Sequence, residues 1–388
     1  MVIRRFHFFL LAVVLVVFLG VNKIMPRIVE IRELPDNLIL SENELLSFSG
    51  SITCAYRASE DDSGTLDFRL LGIFPIKTVS AKVEPERTVR LGGMPAGISV
   101  KSDGVIVTAI VEVDTSVGKV RPQTGVEAGD IITEFNGKRI LYTDDILEIM
   151  REYGSAEKQA EIKVLRGGKE RKVISYPVIE QYTESYKLGF EVKEYAEGIG
   201  TVSYIKENGE FGSLGHPINS LDGTLLIPCY GGSVYDCKIV GHNRGMRGNP
   251  GELRGVFVNP NCAIGEVNLN TRFGVYGKFD TPPKTQTVEI GGRLSVHPGK
   301  AKMITTIGDK SEFYDIEVIK AMPQGMPGEK GMVIRVTDKR LLALTGGIVQ
   351  GMSGSPILQD GKLVGAVTHV FLSDPTKGYA VYMDWMYL

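Results

Sequence analysis

Cysteine is scarce in this chain: Cys54, Cys229, Cys237 and Cys262 are the only four in 388 residues, and no spacing singles out a partner. That excludes a disulfide-stapled scaffold and leaves free thiols as the expectation. There is no Cys-x-x-Cys, no His-Glu-x-x-His and no tight cluster of carboxylates, so neither a metal nor an organic cofactor is expected. Excess charge of one sign is also missing. Lys plus Arg (44) nearly balances Asp plus Glu (46), which argues against a nucleic-acid partner. Long apolar runs are absent except at the N-terminus.

There, Arg4 and Arg5 precede "FHFFLLAVVLVVFLGV", residues 6–21, and Asn22 and Lys23 follow. No Ala-x-Ala site comes after, so an uncleaved signal anchor over residues 1–25 is expected, holding the membrane through residues 5–25. Positive charge ahead of the span puts the N-terminus in the cytoplasm and the remaining chain outside. Glycine is the abundant residue, 46 in all, where average usage of roughly 7% gives about 27. These glycines punctuate short β-branched runs, so the reading is a mainly β chain with many tight turns.

Residues 26–90 form a juxtamembrane region, either a stalk or a small β unit. Its polar stretch from Ser41 to Gly64 lacks hydrophobic periodicity and is expected to be mobile. From 91 to 180 the pattern sharpens. "GGMPAGISV" leads into the strand "GVIVTAIVEV", and "TDDILEIMREYG" reads as a helix capped by Thr143 and ended by Gly154. Strands flanking Arg166-Gly167-Gly168 read as a hairpin. "TGVEAGDIITEFNGKRI" resembles the Gly-Asp segment of PDZ domains. That resemblance implies peptide binding in a groove at Ala96, Gly97 and Ile98, beside the helix from Asp144.

Residues 181–388 carry short strands and no long helical pattern, the signature of a sandwich or a pair of barrels. Near their end stands "QGMSGSPILQDGKLVGAVTHV". Small residues crowd every tight turn, so a nucleophile at Ser353 needs a base elsewhere. Histidine is the usual base near neutral pH. His7 lies in the apolar run, while His242 and His297 sit in turn-like surroundings. His216, between Gly215 and Pro217, is the best candidate; it precedes Ser353 by 137 residues, so one barrel can supply the base and another the nucleophile. Ser355 is the rival serine, but it precedes a proline, which favours an extended strand start.

Gly351-Met352-Ser353-Gly354-Ser355-Pro356 resembles the nucleophile loop of chymotrypsin-like proteases. Anchor, PDZ-like segment, "LGHPI" and residues 346–371 together resemble the SpoIVB peptidases (stage IV sporulation protein B) of endospore-forming bacteria. The resemblance implies a double β-barrel protease with Ser353 as nucleophile, His216 as base and Asp338 as acid. Taken alone, Asp338 reads as a strand-end cap or turn residue, and Asp309 or Asp315 compete with it. The N–H groups of Gly351 and Ser353 would form the oxyanion hole. The resemblance further implies intercompartmental signalling in the space between the two membranes of a developing spore. There the protease would clip a membrane-bound regulatory protein and its own N-terminal region. His369, 16 residues after Ser353, is expected to line the substrate pocket, with a half-buried strand histidine as the alternative. The rival class is a membrane-anchored PDZ scaffold whose protease-like domain binds peptides without cutting them.

Overall fold

A computed structural model of the chain describes residues 24–25, 28–29, 31–32, 34, 36–41, 52–59, 63–84, 87–152, 159–220, 226–322 and 324–388. The expected anchor therefore lies almost wholly outside the described residues. Among the described residues no helix is long and apolar enough to cross a membrane.

The N-terminal region is a β unit. A four-stranded sheet runs in the order Asn37–Ser41, Phe74–Glu84, Ser63–Leu70 and Ile52–Ala58. Leu66, Phe68, Val79 and Ala81 are buried on its inner face. This corrects the expectation that the whole stretch from Ser41 to Gly64 is mobile. Ile52–Ala58 alternates buried and exposed side chains and pairs in antiparallel register with Ser63–Leu70, Cys54 opposite Phe68. Alternation of that kind is what a strand with one covered face requires.

Two six-stranded barrels follow. The first closes because the 16-residue strand Pro95–Ile110 pairs on one side with Phe190–Ile205 and on the other with Cys229–Asn243. Gly265–Thr271, Gly274–Phe279 and Glu210–Ser213 complete the ring. Ile98, Val100, Val202, Phe211, Val234 and Val275 fill it. The second barrel closes through Gly299–Thr306, Ser311–Ala321, Met332–Val336, Asp374–Tyr382, Lys362–Phe371 and Pro356–Gln359. Its core includes Met303, Ile316, Ile334, Ile357, Val367 and Ala380. The mainly β, double-barrel expectation is met.

Two expectations about residues 91–180 change. Pro95–Ser102 is a wall of the first barrel, so the barrel draws on chain well before residue 181. Ala96, Gly97 and Ile98 are also buried with both strand edges occupied: Gly97 faces Ile199 on one side and Tyr235 on the other. A Cβ on Gly97 would stand 2.3 Å from the Phe257 ring. An added peptide strand needs a free edge, so these three residues form no peptide groove. Beyond Gly104 the same strand enters a second cluster, with Ile132, Phe135, Ile162 and Val164 and the helix Thr143–Arg151. The helix is capped by Tyr142, whose N–H bonds Asp145 Oδ2, rather than by Thr143. Gly154 lies outside the described residues. The hairpin holds: Ala160–Arg166 pairs with Lys169–Ser175 around Gly167 and Gly168, both at positive φ. All four cysteines are free thiols, Cys237 buried and Cys262 exposed.

Candidate active site between the barrels

Ser353 sits in the loop that enters the second barrel, and the first barrel shapes that loop. Thr201 N–H donates to Ser353 O at 2.9 Å, Thr201 Oγ1 to Gly351 O at 3.2 Å and Ser203 Oγ to Gly354 O at 2.6 Å. The approach is close enough to demand glycine. At Gly354, φ is +89° and a Cβ would fall 2.1 Å from Thr201 O. Only a residue without a side chain tolerates both conditions.

Within this loop Met352 N–H donates to Val349 O, Gly354 N–H to Val367 O and Ser355 N–H to Met352 O. Among the described residues, the N–H groups of Gly351 and Ser353 have no acceptor. Buried N–H groups are nearly always satisfied within the protein; Gly351 and Ser353 are half-buried, so theirs stand open to a ligand. Two left open beside one serine hydroxyl make the arrangement that receives an oxyanion. A cleft of about 400 Å³ opens at Gly351, lined also by Gln350, Leu253, Ile199 and Phe257.

His216 follows the first-barrel strand Glu210–Ser213 through a sharp turn. Leu214 and Gly215 both take positive φ, +67° and +68°. For leucine this backbone is strained, a cost that packing must offset and that tends to mark functional sites. Gly215 packs on the second barrel, where a Cβ would lie 3.0 Å from Thr368 Cγ2. His216 Nδ1 bonds Pro217 O at 2.8 Å. With the proton on Nδ1, the lone pair is left on Nε2. The imidazole retains some exposed surface but is crowded by protein, and desolvation holds its proton affinity below the usual 6.5. The Pro217 carbonyl and the charge of Glu329 pull partly the other way.

Ser353 Oγ donates to Thr368 O at 2.9 Å. The next residue, His369, has its ring 5.4 Å from that of His216, centroid to centroid. Ser353, His216 and His369 thus meet at one junction, with Thr368 between them. His369 is exposed by area, yet crowding around its ring, then His216 and Lys330, push its proton affinity down to about 4.

Among the described residues, Asp338 makes no hydrogen bond or ion pair with Ser353, His216 or His369. It caps the helix Lys339–Thr345: Oδ1 accepts from the N–H of Arg340 at 2.8 Å and from its Nε at 3.2 Å. Oδ2 accepts from Arg340 Nη2 at 2.9 Å and Asp315 N–H at 3.3 Å. The Arg340 guanidinium leads in holding this carboxyl down at about 2. The Nδ1–H that a triad acid would hold goes to Pro217 O, so the expected acid role of Asp338 is corrected to a helix cap and ion-pair partner. Asp315 pairs with Lys302 and Asp309 with Lys238, so neither replaces it. The one imidazole–carboxylate contact among the described residues, His297 to Asp360 at 2.9 Å, lies at the far end of Pro356–Gln359 from Ser353. His242 pairs with Leu253 in the strand Cys229–Asn243.

The rival serine is eliminated. Ser355 is fully buried and its Oγ has no partner among the described residues. Sequence reasoning missed two contributors: the Thr368 carbonyl, a backbone group with no residue signature, and Glu329, a glutamate in an unremarkable turn.

The family model for the SpoIVB peptidase S55 family matches residues 184–387. The chain belongs to that family. This SpoIVB peptidase match takes in His216, Ser353 and His369 as well as Asp338, but not the part of the first barrel contributed by Pro95–Ser102. No curated protein matches the chain. Among solved structures it is similar to the inactive form of the Rv3671c protease, at 12% identity and a TM-score of 0.27, over 48% of this chain and 80% of that one. A likeness that distant adds nothing to the assignment.

Proposed function

We propose that this peptidase is a serine endopeptidase working from the junction of its two barrels. The observation that carries the reading is the pair of N–H groups on Gly351 and Ser353 that have no acceptor among the described residues, beside a serine hydroxyl in a loop on which the turn leading to His216 packs through Leu214. Ser353 Oγ leaves Thr368 O by a χ1 rotation, gives its proton to His216 Nε2 and attacks the scissile carbonyl. The two N–H groups hold the resulting oxyanion. His216 then protonates the leaving amine, and water hydrolyses the acyl-enzyme with the same imidazole as base. Pro217 O keeps the imidazole in the tautomer this needs.

The wider role follows from sequence. Arg4, Arg5 and the apolar run at 6–21 support a membrane tether with both barrels outside the cytoplasm. Family membership supports a part in sporulation signalling, through cleavage of a membrane-bound regulator and of the chain's own N-terminal region. The bonds that join Ile52–Ala58 to Ser63–Leu70 direct self-cleavage to chain outside that hairpin, since a protease cleft takes extended substrate. Incubation with a fluorophosphonate probe tests the chemistry: the reading requires one labelled peptide, carrying the adduct on Ser353. Intact folded protein that takes no label would leave the alternative, a peptide-binding scaffold of the same fold.

A further inference from the structure

His216 and His369 come from different barrels, one after Glu210–Ser213 and the other in Lys362–Phe371, yet their rings lie 5.4 Å apart at an inclination of 40°. Among the described residues, His216 uses only Nδ1 and neither ring nitrogen of His369 has a hydrogen-bond partner. Two imidazoles with open lone pairs at this spacing match a known geometry. A tetrahedral zinc ion with Zn–N bonds of about 2.0 Å holds two ring centroids roughly 5 Å apart.

The surroundings suit a cation. Metal-bound histidines almost always donate their second ring N–H to a carbonyl or carboxylate, as His216 Nδ1 does to Pro217 O. Metals bind the neutral imidazole through a free ring nitrogen. Glu329, which acts on His216, is ion-paired with Arg272 at 3.6 Å, and Lys330 acts on His369, so the ring nitrogens rather than local charge would hold the ion. No group of three or more His, Cys, Asp or Glu able to hold a metal occurs among the described residues. Water would fill the remaining positions, so binding is reversible rather than structural. Imidazole donors select Zn²⁺, Cu²⁺ or Ni²⁺ over Mg²⁺ and Ca²⁺.

We propose that His216 and His369 together form a binding site for a divalent cation of the zinc type, which silences the peptidase by occupying the lone pair of its base. The site rests on reading His216 as that base. His369 is exposed at the surface, so the ion has direct access from solvent.

The test uses the full-length Ser353→Ala protein, freed of metal and titrated with zinc chloride in a calorimeter. One site is expected that weakens at least about tenfold when His369→Ala or His216→Ala is added. Cobalt chloride at the same site should give the visible absorption of a tetrahedral centre, lost in both double variants. Should the alanine variants misfold by circular dichroism, His369→Asn is to be used in their place. In the wild type, zinc should inhibit peptide hydrolysis with a constant matching its affinity, and EDTA should restore the rate. Zinc binding that is absent, or unchanged without His369, overturns the proposal. Hydrolysis that ignores zinc overturns it too, and leaves the peptidase reading standing. Zinc bound through both histidines in a wild type that never hydrolyses peptide would sink the catalytic reading and leave the metal site.

Discussion

Two polar clusters in this molecule are built on opposite terms. Around Asp338, bonding capacity is met: both carboxylate oxygens accept twice, Arg340 reaches Asp338, Glu312 and Phe313 O, and the helix Lys339–Thr345 has its cap. Around Ser353 it is left open: among the described residues two N–H groups lack acceptors and one nitrogen of His216 has no partner, while Leu214 is held at positive φ. A saturated cluster stabilises, because each group is more favourable in place than in water. An unsaturated one lies ready for a substrate that completes it, and the rest of the fold must hold its strain. The difference teaches where to look for chemistry: a carboxylate near a catalytic serine in sequence counts for less than what its oxygens already hold.

The comparison breaks most visibly at the serine and its base. Ser353→Ala and His216→Ala should each lower kcat/KM by about 10⁴-fold or more, with the double variant little worse, because nucleophile and base act as a unit. Steady-state hydrolysis of a peptide substrate measures this, and losses that multiply would separate the two residues. Gly354→Ala comes next. Its Cβ must displace Thr201 O while the backbone holds φ at +89°, so thermal unfolding should show a loss of at least about 1–3 kcal/mol together with lost activity. A fully stable Gly354→Ala protein would mean the loop does not press on the first barrel as described.

The pH profile sharpens the same contrast. A base must be neutral to accept a proton, so activity falls as acid protonates His216. Desolvation lowers that proton affinity, and the acidic limb of kcat/KM should therefore lie below 6.5, retaining activity in mildly acidic solution. A limb above 6.5 would show the imidazole to be stabilised in its charged form instead. The smallest effect belongs to Ser355. Its buried hydroxyl has no partner among the described residues, so Ser355→Ala should leave kcat/KM within about twofold and stability unchanged or raised by up to about 1 kcal/mol. Loss of activity on the scale of Ser353→Ala would exchange the two serines.

Much of this was legible in the sequence where local chemistry decides the structure. Gly351-x-Ser353-Gly354-x-Pro356 marks a tight turn because small residues fit one best, and Gly215-His216-Pro217 marks a histidine on a turn for the same reason. Short β-branched runs punctuated by glycine marked the barrel strands. What stayed hidden depended on distant chain. Nothing around Ala96-Gly97-Ile98 says that its strand edges are covered by residues more than ninety positions later. The 15 residues from Asp338 to Ser353 specify a separation along the chain, not that the carboxylate turns to Arg340 and its own helix. The strand Ile52–Ala58 was obscured by the polar residues on both sides of it.

The most direct test of the central claim sets Asp338→Ala beside His216→Ala. If Asp338 is a cap and ion-pair partner, its loss should lower stability by about 1–2 kcal/mol. Below the melting transition, kcat/KM should stay within about tenfold of wild type, while His216→Ala remains inactive. Asp338 also has its carboxyl held down at about 2. Its contribution should thus be complete above the unfolded carboxylate value of 3.8 and fade as pH falls from there toward 2. An Asp338→Ala protein that melts like the wild type yet hydrolyses as poorly as His216→Ala would contradict the account and return Asp338 to the chemistry.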